Sequence, residues 1–384
     1  MQNFAFHNPT KIFFGRGQIA SIAGEVPPGS KVLMTYGGGS IKSNRVYAQV
    51  QEALRNFQVV EFAGIEPNPA YETLMKAVEL VRSESIDFLL AVGGGSVLDG
   101  TKFIAVAALF QGDPWDICAK GAVPGHALPL GAVLTLPATG SESNNYAVIS
   151  RLSTREKLAF GHPSVFPRFA VLDPESTQSL PKRQIANGLV DAFVHVTEQY
   201  LTYPTQTPLQ DRMAESILVT LIEEGPKTLA DPKDYDARCN VMWCATMALN
   251  GMIGCGVPQD WSTHAIGHEL TAFHGLDHAQ TLAIILPNLL WVQRESKAEK
   301  LLQYAERVWQ VREGSVAARI SQAIIRTRNF FESLGVGTHL SDYNIGPERF
   351  DEILARFESR KLLPMGEHRD LDLAKLHEIL MLAR

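Results

Sequence analysis

Short apolar runs alternate with helical patterns through the first half of this chain, and this alternation limits the possible folds more than any other feature. Strand character appears at residues 31–36, 59–62, 88–92, 130–136 and 169–172. Helical periodicity appears between them, at residues 45–57, 71–83 and 97–110. Such alternation is typical of a parallel sheet covered by helices. We therefore predict an α/β domain over residues 1–178.

The pattern changes after Asp173-Pro174. Apolar residues then recur at three- and four-residue spacing, with little of the alternation that marks strands. Helices are predicted at residues 217–224, 238–252, 298–311 and 315–334. The second domain is therefore expected to be all-helical and to span residues 179–384.

Composition excludes several classes of protein. A hydrophobic content of 45% with 20% charged residues is that of a globular protein. The formal net charge of −6 and the lack of a Lys/Arg-rich block argue against a nucleic-acid or anionic-membrane partner. No secretory signal or transmembrane stretch is evident, and none of the 4 cysteines forms a Cys-x2-Cys pair. We expect a cytoplasmic protein with reduced thiols.

Histidines and one aspartate suggest a metal site. Asp191 and His195 are four residues apart in a helical pattern, so their side chains can converge on one face. Four of the 11 histidines lie at residues 264–278. One carboxylate and three imidazoles, with His264 and His278 from this later stretch, form a suitable donor set for iron or zinc. Each histidine alone is more typical of a surface or capping residue, so spacing leaves a structural role open.

A glycine-rich turn, Gly93-Gly94-Gly95-Ser96, lies between a predicted strand and a helix. Glycines allow backbone N–H groups to approach a phosphate, and the helix N-terminus adds partial positive charge. The spacing is not that of the common G-x-G-x-x-G fingerprint. A tight turn that binds no ligand is the alternative.

An earlier turn, Gly37-Gly38-Gly39-Ser40, bears on the choice of nucleotide. Proteins that prefer NAD usually hold the adenosine ribose with an acidic residue, which would repel a 2′-phosphate. No Asp or Glu occurs at residues 31–51, whereas Ser40, Lys42 and Arg45 are donors. If a dinucleotide binds, we expect NADP(H). The polar stretch at residues 135–144 is a further candidate loop for a phosphate or nicotinamide.

With these motifs in order, the chain resembles the iron-containing (group III) alcohol dehydrogenases over essentially its whole length. The likeness is closest to the branch of NADPH-dependent aldehyde reductases and butanol dehydrogenases. It is carried by Glu66-Pro-Asn68-Pro, Gly93-Gly-Gly95-Ser96-Val-Leu-Asp99, Leu136-Pro-Ala-Thr139-Gly-Ser-Glu-Ser143, Gly188-Leu-Val-Asp191-Ala-Phe-Val-His195, His264-x3-His268 and His274-Gly-Leu-Asp-His278.

The resemblance implies a dehydroquinate synthase-like fold, with a Rossmann-like dinucleotide-binding domain, a helical domain and an active site in the cleft between them. It implies that Asp191, His195, His264 and His278 are the metal ligands. The implied cofactor contacts are Gly37, Gly38, Gly39, Ser40, Asn68, Gly94, Gly95, Ser96, Asp99, Thr135, Thr139 and Lys157. Gly38 stands where NAD-preferring members carry an Asp, which again favours NADP(H).

The implied activity is hydride transfer between NADP(H) and a small aldehyde or primary alcohol, with iron(II) or zinc(II) as Lewis acid. His268 or His274 could relay the proton, although a structural role is open for both. We also expect a homodimer, in which the apolar stretch at residues 11–14 pairs with its twin.

Two related activities are alternatives to this reaction. A glycerol dehydrogenase-like enzyme would oxidise a polyol with NAD and zinc. A 3-dehydroquinate synthase-like lyase would need several Lys or Arg for a polyanionic substrate. Instead, the residues near the proposed ligands in sequence are apolar, which favours a small, rather apolar aldehyde. These residues are Val190, Phe193, Val194, Trp261, Ile266, Leu270 and Phe273. A non-catalytic metal- or nucleotide-binding module is the third alternative.

Overall fold

The computed structural model describes residues 1–384, which form two compact units. The α/β unit contains His7–Pro181 and Asp231–Asn250. The helical unit contains Met1–Phe6, Lys182–Ala230 and Gly251–Arg384. The domain boundary at residue 178 stays a prediction.

A six-stranded parallel sheet organises the α/β unit, with the strand order β1-β8-β5-β4-β2-β3. Its central strands are buried on both faces, which explains why they read as continuous apolar runs rather than alternating ones. An antiparallel hairpin, β6–β7, forms a second sheet. The strands are β1 Lys11–Phe14, β2 Lys31–Thr35, β3 Gln58–Phe62, β4 Phe88–Gly94, β5 Leu130–Leu136, β6 Tyr146–Arg151, β7 Glu156–Gly161 and β8 Phe169–Leu172.

Helices cover both faces of this sheet. One apolar core includes the buried sides of α3 and α4, and the other includes those of α1 and α2. The helices of this unit are α1 Ile22–Glu25, α2 Val46–Ala53, α3 Tyr71–Glu84, α4 Gly95–Ala107, α5 Asp116–Ala119 and α8 Tyr235–Ala248. The predicted parallel α/β architecture is confirmed.

The remaining helices form the helical unit, as predicted for the C-terminal region. Most of α6 is buried from Ile185 to its end, so this helix lies at the centre of its unit. No helix is both long and apolar enough to cross a membrane. The helices are α6 Lys182–Tyr200, α7 Pro208–Ala230, α9 Ser262–His274, α10 His278–Val292, α11 Ala298–Arg307, α12 Val316–Ser333, α13 Phe350–Ser359 and α14 Leu373–Leu382.

The structure differs from the sequence prediction in several details. The β6–β7 hairpin was not predicted, and its strands bring Lys157 beside the loop that contains Asn68. The helix predicted at residues 238–252 ends at Ala248, and Gly251 adopts a φ of 92°. A left-handed residue of this kind cannot continue a right-handed helix.

Candidate metal centre and nucleotide-binding loops

One face of α6 carries three polar residues that are almost completely buried. Asp191, His195 and Glu198 are 3%, 4% and 4% exposed. Their spacing of four and then three residues places them in one row along the helix. The rest of the buried surface of α6 is largely apolar, so this row is a polar strip within the interior of the helical unit.

The helices α9 and α10 supply the other histidines. Gly275 ends α9 with a φ of 70°, and Asp277 caps α10 through a capping box with Gln280. A Cβ on Gly267 would lie 2.7 Å from Thr281 Oγ1, so glycine lets the two helices approach closely. This short connection brings the rings of His264 and His278 to a centroid distance of 5.0 Å.

The ligand atoms of Asp191, His195 and His264 all lie within 4.8 Å of one another, and His278 approaches Asp191. His264 Nε2 lies 3.1 Å from His195 Nε2, and Asp191 Oδ1 lies 3.8 Å from His195 Nε2. Asp191 Oδ1 also lies 3.7 Å from His278 Nε2. Ligand atoms bound tetrahedrally at about 2.1 Å from zinc are separated by roughly 3.4 Å. The buried Asp191 Oδ1 has no hydrogen-bond partner, so the donor set fits a divalent cation.

Behind these ligands lies a network of buried charges. Burial and the nearby Asp260 raise the pKa of the Glu198 carboxyl well above its usual range. Burial alone would raise the pKa of Asp260, but the Lys297 ammonium, 3.0 Å away, and the hydrogen bonds from Ser262 together outweigh burial and lower that pKa. Lys297 also contacts Glu367 at 2.7 Å. A bound divalent cation would act against these two causes and favour the ionised form of Glu198.

The two proposed proton-relay histidines have different surroundings. The ring of His268 lies 5.3 Å from that of His278, which places it beside the ligand cluster. His274 is the last residue of α9. Burial, together with the charge of Arg349, lowers the His274 pKa. The structure thus brings His268, rather than His274, next to the ligand rings.

The apolar lining expected from the sequence is only partly present. Trp261 packs against the rings of His195 and His264, with centroid distances of 6.1 and 5.3 Å. Phe193 instead packs against the aromatic core of Trp309, Phe330 and Phe331. The prediction that Phe193 lies beside the ligands was wrong, because a residue two positions before His195 points to another side of the helix.

In the α/β unit, the Gly93–Gly95 turn is sterically crowded. A Cβ on Gly93 would lie 2.6 Å from the Val97 side chain, and one on Gly95 would lie 2.5 Å from Thr139. Glycine is therefore required by close packing. This packing also places the loop that contains Thr139 directly against the N-terminus of α4.

Several of the predicted cofactor residues are linked by hydrogen bonds. The Asn68 backbone N–H donates to Ser96 Oγ at 3.2 Å, and Lys157 Nζ donates to Asn68 Oδ1 at 2.8 Å. Asp99 accepts hydrogen bonds from Ser141 Oγ at 2.6 Å and from the Val148 N–H at 2.9 Å. The carboxylate of Asp99 therefore shapes the loop from within.

The buried Lys102 completes this arrangement. Its ammonium donates to Ser141 Oγ and to the Tyr146 carbonyl, both at 2.8 Å, and to Asn144 Oδ1 at 3.0 Å. Burial lowers the pKa of Lys102 to about 8. The sequence offered no signal for this lysine beyond its position in an apolar helix.

The first glycine turn follows β2. Gly39 has a φ of 95°, and a Cβ on Gly38 would meet no atom within 4 Å. Glu61 from β3 accepts hydrogen bonds from Tyr36 at 2.7 Å and from Tyr47 at 2.6 Å. Burial alone would raise the Glu61 pKa, but these bonds and the charge of Lys42 hold it below its usual range. Glu61 was missed because it is distant in sequence from the turn.

Both parts of the chain match family models. Residues 9–174 match "Iron-containing alcohol dehydrogenase", and residues 185–382 match "Fe-containing alcohol dehydrogenase family, C-terminal". The chain belongs to the iron-containing alcohol dehydrogenase family. Membership confirms the resemblance predicted from the motifs and identifies the chain as an oxidoreductase.

Members of the iron-containing alcohol dehydrogenase family are similar to this chain over most or all of its length. The NADPH-dependent aldehyde reductase YqhD of Escherichia coli K12 is 58% identical, with 100% of each chain covered. The probable NADH-dependent butanol dehydrogenase 1 of Bacillus subtilis is 45% identical, with 92% of each covered. The crystal structure of E. coli K-12 YqhD has a TM-score of 0.99 at 58% identity and covers 100% of this chain and 99% of that one. These matches confirm the predicted fold.

Proposed function

We propose that this chain is an NADPH-dependent aldehyde reductase that converts small aldehydes to primary alcohols, and that it catalyses the reverse reaction with NADP⁺. The observation that carries the proposal is the convergence of Asp191, His195 and His264, whose ligand atoms all lie within 4.8 Å of one another. His278 approaches the same carboxylate. Family membership and the identity to an NADPH-dependent aldehyde reductase support the same reaction class.

The metal ligands in this proposal are Asp191, His195, His264 and His278. Iron(II) or zinc(II) bound by them supplies a Lewis acid for the aldehyde oxygen. The three imidazoles contribute neutral donors and the single carboxylate contributes one negative charge. The site would therefore keep a net positive charge when loaded, which suits a substrate that gains negative charge on its oxygen.

The nucleotide residues in this proposal all belong to the α/β unit. NADPH supplies the hydride. The crowded Gly93–Gly95 turn and the N-terminus of α4 provide backbone N–H groups for the pyrophosphate. Asn68, Ser96 and Lys157 form a connected polar group beside that turn, where they can orient the remainder of the cofactor. Asp99 and Lys102 hold the loop at residues 139–146 in shape.

Preference for NADPH over NADH is supported by the first glycine turn. Gly38 carries no acidic side chain, and Ser40 and Lys42 follow it with donor groups. The carboxylate of Glu61 is occupied by two tyrosine hydroxyls and by Gln51. The Glu61 carboxylate is therefore not available to bind a ribose hydroxyl, and the positive charge of Lys42 offsets its negative charge.

Proton transfer to the newly formed alkoxide is assigned to His268 rather than His274. The ring of His268 packs beside His278, next to the ligand cluster. Burial and the charge of Arg349 lower the His274 pKa, so this ring holds a proton less readily than an unperturbed imidazole does.

The decisive experiment combines metal analysis with initial rates for a panel of aldehydes, using NADPH and NADH in parallel. We expect about one iron or zinc ion per chain and faster oxidation of NADPH with butanal. His264→Ala should lose the metal and turnover while NADPH binding survives. Full turnover of metal-free protein, or no NADPH oxidation with any aldehyde, would contradict the proposal. Glycerol with NAD⁺ serves as the test for polyol oxidation.

We also propose a cytoplasmic homodimer. Strand β1 is at the edge of the sheet, so one side of Lys11–Phe14 is open for pairing with a second copy. Phe14 and Trp243 form an exposed edge-to-face pair nearby, with centroids 5.8 Å apart. All four cysteines are thiols, consistent with a reducing compartment. Light scattering after size exclusion gives the oligomeric state.

A further inference from the structure

A buried carboxylate contacts one of the proposed metal ligands on the side of its ring away from the other ligand atoms. The Glu198 side chain is 3% exposed, and its Oε2 forms a hydrogen bond with His264 Nδ1. Its Oε1 accepts a hydrogen bond from the His264 backbone N–H at 3.2 Å. Both carboxylate oxygens of Glu198 are therefore engaged by one residue.

This contact determines which nitrogen of His264 faces the other ligands. A neutral imidazole has one N–H donor and one nitrogen lone pair, and the acceptor beside one nitrogen selects the tautomer. When the ionised Glu198 carboxylate is the acceptor at Nδ1, the hydrogen is on Nδ1 and the lone pair is on Nε2. His264 Nε2 is the atom that lies 3.1 Å from His195 Nε2. Glu198 thus directs the lone pair of His264 into the ligand cluster.

Glu198 also connects the two segments that supply the ligands. It lies on α6, the helix that carries Asp191 and His195, and its backbone carbonyl accepts the Asp260 N–H at 2.9 Å. The segment from Asp260 to His264 is therefore attached to α6 through the backbone and the side chain of the same glutamate. Lys297 holds Asp260 in place from behind, at 3.0 Å.

We propose that Glu198 is a positioning residue that fixes the tautomer and the ring orientation of His264 and thereby raises the affinity of the helical unit for a divalent metal. This inference rests on the metal site of the proposed function. Glu198 is not a ligand in it, because its oxygens lie at Nδ1, on the opposite side of the ring from Nε2. Carboxylates in this position typically account for about 10- to 100-fold in metal affinity or activity.

The test measures metal affinity directly, by competition between a chelator and full-length protein for Co²⁺ and Zn²⁺. Glu198→Ala removes both acceptor oxygens, and we expect metal affinity about 10- to 100-fold below that of the unmodified chain. Glu198→Gln keeps the shape but offers one acceptor oxygen to two N–H donors, so its affinity should be intermediate. The Co²⁺ absorption spectrum should shift in both variants as the ligand geometry changes.

Glu215→Gln is the matched control. Glu215 is also a mostly buried carboxylate of the helical unit, but its oxygen accepts from Tyr200 and Gln303. We expect its metal affinity and Co²⁺ spectrum to be unchanged. Thermal unfolding of the metal-free variants shows that each one folds, and the isosteric Glu198→Gln keeps the comparison valid if Glu198→Ala does not.

Three results would overturn the inference, and they are distinguishable. Metal affinity within twofold of the unmodified chain in the Glu198 variants, with the same Co²⁺ spectrum, leaves the metal site intact and removes the role of Glu198. An equal loss of affinity in Glu215→Gln assigns the effect to general destabilisation. Failure of the unmodified chain to bind Co²⁺ or Zn²⁺ contradicts the proposed function itself.

Discussion

Asp191 Oδ1 lies 3.7 Å from His278 Nε2, although the two residues come from different helices, α6 and α10. The oxygen is buried and has no hydrogen-bond partner. Leaving a buried polar group unsatisfied costs about 1–3 kcal/mol, and more when the group is charged. A cation between Asp191 and the surrounding imidazoles would remove this cost, so the arrangement proposed to bind the metal is unfavourable without it.

Replacing Asp191 by Asn should therefore affect the thermal stability of the metal-free and the metal-loaded protein differently. In the metal-free form, loss of the buried negative charge should raise the melting temperature or leave it unchanged. In the presence of Zn²⁺, the unmodified chain should gain stability and D191N should gain little, because the amide is a weak ligand. Calorimetry with EDTA and with Zn²⁺ measures both effects. Equal stabilisation of the two proteins by Zn²⁺ would contradict the assignment of Asp191.

Gly38→Asp should shift cofactor preference from NADPH toward NADH. The site has room for the side chain, since a Cβ at Gly38 meets no atom within 4 Å and its backbone is unstrained. A carboxylate there would accept from a ribose hydroxyl and repel a 2′-phosphate. We expect the ratio of kcat/KM values for the two cofactors to change by on the order of tenfold or more. Initial rates with both cofactors provide the measurement.

Gly37→Asp is the contrasting variant for this prediction. A Cβ at Gly37 would lie 3.1 Å from the Ile65 carbonyl oxygen, so a side chain there disturbs the turn. G37D should weaken the binding of both NADPH and NADH rather than change the preference between them. An unchanged preference in G38D would show that the first glycine turn does not face the adenosine ribose.

Gly95→Ala should weaken NADPH binding through sterics alone. The added Cβ would lie 2.5 Å from the Thr139 side chain, so the turn and the neighbouring loop must separate. Overpacking of this kind costs about 1–3 kcal/mol of stability. Gly38→Ala is the control, because its Cβ occupies open space. Fluorescence titration with NADPH and urea unfolding test the two effects, and normal NADPH affinity in G95A would argue against a cofactor role for the turn.

Lys297→Met should strongly destabilise the helical unit. Lys297 lies between the buried carboxylates of Asp260 and Glu367, 3.0 and 2.7 Å away. Removing one partner from a buried ion pair typically costs about 3–5 kcal/mol. Urea unfolding at neutral pH measures this loss. A decrease in the free energy of unfolding below about 1 kcal/mol would show that protonation or hydration stabilises the two carboxylates without the lysine.

The same lysine gives a pH dependence with a definite sign. Burial would lower the Lys297 pKa, but Asp260 and Glu367 outweigh burial and raise it above 10.5. The folded state therefore holds this proton more tightly than the unfolded state. Its contribution to stability is complete below the unfolded pKa and is lost as the pH rises through the folded one. The stability difference between the unmodified chain and K297M should shrink in alkaline buffer.

The elements and the donor types followed from local sequence. Strand β4 and the Gly93–Gly95 turn were predictable because apolar runs and glycines act over a few residues. Asp191, His195, His264 and His278 were identifiable because histidine is sparse and helical spacing places side chains on one face. The metal site itself stays a proposal, and the distances between the proposed ligand atoms fit a divalent cation.

Other features depended on contacts between distant segments. The hairpin β6–β7 was missed because its strands alternate only partly, and Glu198 because one glutamate in a helix carries no signal by itself. Phe193 was expected near the ligands and packs instead against Trp309, Phe330 and Phe331. Its direction depends on which helices pack around α6.

The sequence by itself determined the parallel α/β and helical architecture, the family and the kinds of atoms available to bind metal and nucleotide. Only the tertiary structure decided that His264 presents Nε2 to His195 and Asp191, and that Glu198 lies behind it. The reason is physical: periodicity and turn chemistry act within a few residues. The burial, tautomer and distance of a ligand are set when helices distant in sequence pack together and exclude water.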